Sequence, residues 1–181
     1  EALDAACEGA DAVVHLAALP SVPRSVLDPL ASHHANATGT LQVLQAARRA
    51  GDLQVVVASS SSVYGANREL PKRESMRTAP ISPYAVSKQA TEAYAMSFGH
   101  TYDLPVLAFR FFNVYGPLQP AGHAYAAVVP AFVDAALRGV AVEASVAAVE
   151  LGMRVAQLAG RDLAARRRRQ EQRASQPGED P

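Results

Sequence analysis

At 181 residues, 49% of them apolar, the chain is long enough for one domain with a sizeable core and short for two. Its 17 Lys and Arg balance 17 Asp and Glu, so no global charge steers it toward nucleic acid or an anionic membrane, and a small-molecule partner is expected. One cysteine, Cys7, excludes an internal disulfide framework; with an acidic opening, EALDAACEGAD, and no apolar run of about 18 residues, the chain reads as cytoplasmic, without a signal peptide or membrane span.

In chain order, AVVHLAA (12–18) is a short apolar run of the kind that forms a strand buried on both faces of a parallel sheet. The stretch 28–51 follows as a helix. It carries Leu41, Val43, Leu44 and Ala47 on one broad stripe, Arg48 and Arg49 in its last turn and Gly51 as a stop. LQVVVASS (53–60) predicts a second strand, 84–102 a second helix with Tyr94 and Phe98 four apart, and LPVLAFRFF (104–112) a third strand. Alternating strands and helices imply right-handed β-α-β units, hence an α/β fold built on a doubly wound parallel sheet with flanking helices. Ligands of such sheets bind beyond the carboxyl ends of the strands, where this chain places His15 to Ala18, Ser59 to Gly65 and Asn113 to Pro117.

Between the second strand and the second helix, SPYAVSK sets Tyr84 and Lys88 at i and i+4, with Cβ atoms roughly 5–6 Å apart on one helical face. A phenol with a solution pKa of about 10 is a poor base at neutral pH. An ammonium about 4 Å away favours the phenolate by on the order of 4 kcal/mol at an effective dielectric near 20. The spacing alone is common and carries little weight. His15 reads as a packed core histidine, and His33 and His34, being adjacent, point different ways on a helix and make a poor metal pair, so no metal is expected.

Five segments taken together are more specific. HLAA, the NATGT that starts at Asn36, SSSSVYG, SPYAVSK and RFFNVYGP resemble, in order and approximate spacing, the extended short-chain dehydrogenase/reductases, the NAD-dependent nucleotide-sugar epimerases and dehydratases. LPSVPRS, LPKRE and AYAAVVPAF resemble the UDP-N-acetylglucosamine (UDP-glucose type) 4-epimerases in particular. The resemblance implies a Rossmann-like NAD-binding fold, a nucleotide-sugar substrate and a homodimer formed through the helices in 28–51 and 84–102. It also implies roles for individual residues. Tyr84 would be the catalytic acid/base, Lys88 the partner that lowers its pKa and bonds the nicotinamide ribose, and Ser60 the hydroxyl sharing the proton. Ala17, Ala18, Leu19 and Ser59 would line the dinucleotide with Tyr84 and Lys88. Ser21, Ser60, Ser61 and Asn113 would meet the substrate, Asn113 at its diphosphate or as an Asx-type turn. Asn36 would fix its helix against the central strands.

The serine turn bears on the reaction. Dehydrating relatives usually carry Asp-Glu at the positions of Ser61 and Ser62, and decarboxylating ones a Glu at the second. Elimination across C5 and C6 needs a proton acceptor and donor beyond the tyrosine, which serines without an adjacent base supply poorly. A 4-epimerase working through a transient 4-keto sugar is therefore expected, with a dehydratase or decarboxylase of the same family as the alternative. The resemblance covers roughly 1–139. No G-x-x-G-x-x-G occurs, so the chain reads as truncated on the N-terminal side of the sheet and, on its own, as incomplete and inactive. Residues 140–165 read as a helix-prone segment outside the resemblance, and 166–181, with Arg166 to Arg169, as a disordered tail. A non-catalytic fragment or binding protein is the reading from a different class; the arginine run beside Glu171 is a solvated tail, and no nucleic-acid partner is expected.

Overall fold

Three parallel strands, β1 (Ala12–His15), β2 (Gln54–Ala58) and β3 (Val106–Phe109), form one sheet in that order in the computed structural model, which describes residues 1–119 and 128–139. The register sets Val14 opposite Val56 and Val56 opposite Leu107. Each strand is shorter than its apolar run, because the residues past the ladder bond elsewhere. Leu19 meets the Asn36 side chain, and the Ser61 N–H donates to Phe111 O at 2.8 Å.

The helices are α1 (Ala2–Cys7), α2 (Val22–Leu27), α3 (Pro29–His33), α4 (Gly39–Arg49), α5 (Pro83–Tyr102) and α6 (Val128–Arg138). The helix expected over 28–51 is broken into α3 and α4 by a π turn, His34–Thr38, in which the Gly39 N–H bonds His34 O five residues back. For α5 the sequence signals are followed closely. Ser82 caps it by accepting from the Ala85 N–H at 3.1 Å, Pro83 opens its first turn, and Asp103 ends it in the left-handed region at φ 53°.

Both crossovers lie on one face of the sheet, as right-handed connections between successive neighbouring strands require. Val43, Leu44 and Ala47 of α4 and Ala95 and Phe98 of α5 pack with Leu104 against Val55 and Val57, flanked by Val13, Val106 and Ala108. Each fully buried Val or Leu there contributes about 1.5–3 kcal/mol. Burial on both faces was the expectation, and among the described residues the opposite face departs from it: Val14 is 63% exposed, Leu107 and Phe109 44% each. Pleating explains the split, since alternate side chains of one strand point to opposite faces and α4 and α5 cover one of them.

Beyond β2 a 3-10 helix, Ser61–Tyr64, ends at Gly65, where φ is +44° and a Cβ would lie 1.9 Å from Ala79 O. Glycine is required there, and it allows Ala66 N–H to reach Ala79 O and Ala79 N–H to reach Val63 O, both at 2.9 Å, tying the segment after the serine turn back onto it. Residues 1–114 form one unit and those from Tyr115 a second, in which Arg138 pairs with Asp134 along α6 at 3.0 Å. The expectations for 140–165 and 166–181 lie outside the described residues. Among the described residues no helix is long and apolar enough to cross a membrane.

Candidate functional site

The carboxyl ends of β1 and β2 and the first turns of α5 bring most of the expected residues together. Tyr84 sits in the first turn of α5, where its backbone N–H would be an orphan donor. Ser25 of α2, fully buried, accepts that N–H at 2.9 Å and donates its own hydroxyl to Val22 O at 2.7 Å, so α2 fixes where α5 begins. Ser60 is extended (φ −153°), caps the 3-10 helix by accepting from the Ser62 N–H at 3.2 Å, and accepts the Ser62 hydroxyl at 2.9 Å. Lys88, one turn along α5, is buried, and its ammonium donates to Ala58 O at 2.7 Å.

These contacts set the electrostatics. Burial raises the Tyr84 phenol above its ordinary value, and the Ser60 hydroxyl pulls the other way. The Lys88 ammonium bonds the end of β2, and burial lowers its own pKa. An ammonium has three donors, and among the described residues Ala58 O takes one, so Lys88 keeps capacity for further acceptors such as ribose hydroxyls.

Behind this pair lies a neutral network. Asn36, in the π turn, accepts the Leu19 N–H at 2.7 Å and donates to Leu19 O at 3.1 Å and Ser87 Oγ at 2.9 Å. Its carbonyl takes the hydroxyls of Thr40 and Thr91, and Thr40 Oγ1 lies 3.1 Å from His15 Nε2. Asn36 and His15 thus play the structural parts expected of them. Burial first, and then the Lys88 charge, lower the His15 pKa and keep its ring neutral.

The remaining expected residues are placed as follows. Ala17 is exposed, Ala18 and Leu19 half-buried, leaving an open backbone beyond β1. Ser21, at φ 98°, caps α2 by accepting from the Arg24 N–H at 3.3 Å. Ser61 is half-buried in the serine turn and Asn113 exposed after β3. Ser59, one residue past β2, is 4% exposed and its hydroxyl donates to Glu92 Oε2 of α5 at 3.0 Å. Sequence reasoning missed Ser25, Glu92 and Arg110; only Glu92 had a signal, as the next i+4 position after Lys88. Among the described residues no group of three His, Cys, Asp or Glu gathers to hold a metal, and His33 and His34 are exposed with ring centroids 6.1 Å apart.

Comparison with known proteins follows this geometry. The model of the NAD dependent epimerase/dehydratase family matches residues 1–163. A UDP-glucose 4-epimerase from Mycolicibacterium smegmatis is 43% identical over 130 residues, which is 71% of this chain and 41% of that protein. Among solved structures, the UDP-N-acetylglucosamine 4-epimerase from Methanobrevibacter ruminantium M1 in complex with UDP-N-acetylmuramic acid superposes with a TM-score of 0.73 at 41% identity, over 78% of this chain and 46% of that one. The dTDP-glucose 4,6-dehydratase from Streptomyces venezuelae with NAD bound gives 0.66 at 36% identity, over 76% of this chain and 42% of that one. The chain therefore spans less than half the length of these relatives.

Proposed function

The chain belongs to the NAD-dependent epimerase/dehydratase family, and from that premise we propose that it carries the proton-transfer residues of a nucleotide-sugar 4-epimerase acting on a UDP-hexose or UDP-N-acetylhexosamine. The observation behind the proposal is buried Lys88, one helical turn after Tyr84, bonded to Ala58 O two residues before Ser60, in a turn where serines stand at 61 and 62. NAD fits the residues present: Lys88 has donors left for the ribose, and small Ala17 and Ala18 allow close approach after β1. When bound, NAD takes up and returns the hydride of the sugar C4.

The chain's own residues do the rest. Ser60 both donates and accepts, so it holds the 4-oxygen while Tyr84 removes its proton, leaving a ketone at C4. Lys88 supplies the charge that favours the phenolate. Once the ketone presents its other face, Tyr84 returns the proton to the same oxygen and the inverted alcohol leaves. Ser21, Ser61 and Asn113 orient the sugar and its diphosphate. A homodimer would use the outer faces of α3 and α5, where Leu30, Val86 and Met96 are exposed.

The test is to join these residues to the remainder of a family-length chain, incubate it with NAD and each UDP-hexose, and follow the sugars by proton NMR. The 4-epimer should form with no net NADH and no 6-deoxy sugar. A 4-keto-6-deoxy product would replace this reading with the dehydratase one; absence of any turnover across the UDP-hexoses, with NAD shown to bind, would reject both.

A further inference from the structure

The stripe of α5 that bears Tyr84 and Lys88 continues to Glu92, four residues on. Its side chain is only 18% exposed and is gripped by Arg110, just past β3, through Nε at 2.9 Å to Oε2 and through Nη2 to Oε1. Oε2 also accepts the Ser59 hydroxyl. Ser59 lies between Ala58, whose carbonyl takes the Lys88 ammonium, and Ser60, whose hydroxyl favours the Tyr84 phenolate. Arg110 reaches further: Nη1 donates to Glu74 O at 3.1 Å and the guanidinium lies 4.9 Å from the centroid of the Tyr64 ring.

We propose that Glu92 and Arg110 are positioning residues for the proton-transfer pair, acting through Ser59 to hold the end of β2 against α5. The proposal rests on the reading of Tyr84 as acid/base. The β2–β3 ladder ends at the pair Ala58 and Phe109, one residue before Ser59 and two before Ser60, so that segment needs another anchor. It has two, the Ser61 N–H to Phe111 O bond and the Ser59 to Glu92 bond. A bidentate guanidinium fixes the carboxylate plane, and the charge strengthens each hydrogen bond the carboxylate accepts. Precision matters at this distance, since a misplacement of about 1 Å at a reacting group costs about 100-fold in rate.

Ser59→Ala and Arg110→Lys both leave the charge of the site unchanged, so their effect on Tyr84 reports geometry. With tyrosine labelled at 13Cζ and the Tyr84 signal identified by its loss in Tyr84→Phe, the Tyr84 titration midpoint should rise by about 0.5 pH unit in each variant, as the Ser60 hydroxyl moves away. Amide exchange at Ser61 and Ser62 should quicken at least about tenfold while Val55 and Val57 keep their rates. A pair that serves stability alone would lower the melting temperature and quicken exchange throughout with the midpoint unmoved, and that result overturns the proposal. Should Arg110→Lys not fold, Ser59→Ala, which retains the ion pair, decides. A midpoint that moves in a protein without turnover sinks the epimerase reading and leaves the positioning claim standing; an unmoved midpoint in an active protein does the reverse.

Discussion

Two stripes of polar side chains run side by side down α5, one residue apart in sequence and opposite in character. Ser87 and Thr91 face α4 and join the neutral network of Asn36 and Thr40, every member of it buried and hydrogen-bonded. Tyr84, Lys88 and Glu92, a helical step of about 100° further round, face the end of β2 and are ionisable. The neutral stripe is complete within the protein. The ionisable one is not, since among the described residues the Lys88 ammonium donates to one acceptor, Ala58 O. One helix therefore separates holding from reacting by a single residue of phase, and substitutions should sort accordingly.

The largest expected effect breaks the neutral stripe. Asn36→Ala strands the Leu19 N–H, takes a donor from Leu19 O and from the Ser87 hydroxyl, and should cost about 3 kcal/mol of stability in urea unfolding; a loss below about 1 kcal/mol would mean the network is not what holds α5 in place. Next, Tyr84→Phe keeps the packing and removes the proton carrier. Turnover should fall at least 100-fold, about 2.7 kcal/mol, while stability stays within about 0.5 kcal/mol of the parent. Near-normal turnover would place the acid/base elsewhere. Thr91→Val, nearly isosteric, should cost about 1 kcal/mol of stability and leave the Tyr84 titration where it was; a moved titration would show the two stripes to be coupled.

The smallest effect is a slope with pH. His15 and Glu92 both have folded-state pKa values below their ordinary ones, the first through burial, the second through the Arg110 hydrogen bonds. In each case the unfolded chain takes up protons first, so stability is full at neutral pH and falls on acidification. The decline should begin below about pH 6.5, where an unfolded histidine charges, and steepen below about pH 4.3 as Glu92 protonates. His15→Gln should remove the upper part of the slope and leave the lower part, as read from melting temperatures across a pH series.

The strands and α5 were legible in the sequence because each depends on local pattern: apolar runs, a cap, an i+4 spacing. What escaped depends on partners distant in the chain. Glu92 stood in the visible stripe, yet its partner Arg110 lies 18 residues on, across β3, and no spacing rule joins them. Nor does i+4 geometry name the carbonyl that takes the Lys88 ammonium, Ala58 O, 30 residues away. Apolar content predicted burial on both faces of the sheet, but composition cannot say which elements cover a face.

The π turn has a consequence for how this chain tolerates insertions and deletions. Residues 34–38 hold one residue more than an α-helix needs to join the same ends, and the Gly39 N–H reaches past the usual acceptor to His34 O. Removing Ala35 would leave a regular helix with no lost helical hydrogen bond, a change that looks harmless by any local measure. It would also turn everything before the deletion by about 100° relative to α4. Leu30 and the α3 surface would swing out of line with α5, and the Asn36 carbonyl would move relative to the two threonine hydroxyls it accepts. A neighbouring helix shortened at its free end loses one residue; shortened here, it loses its alignment.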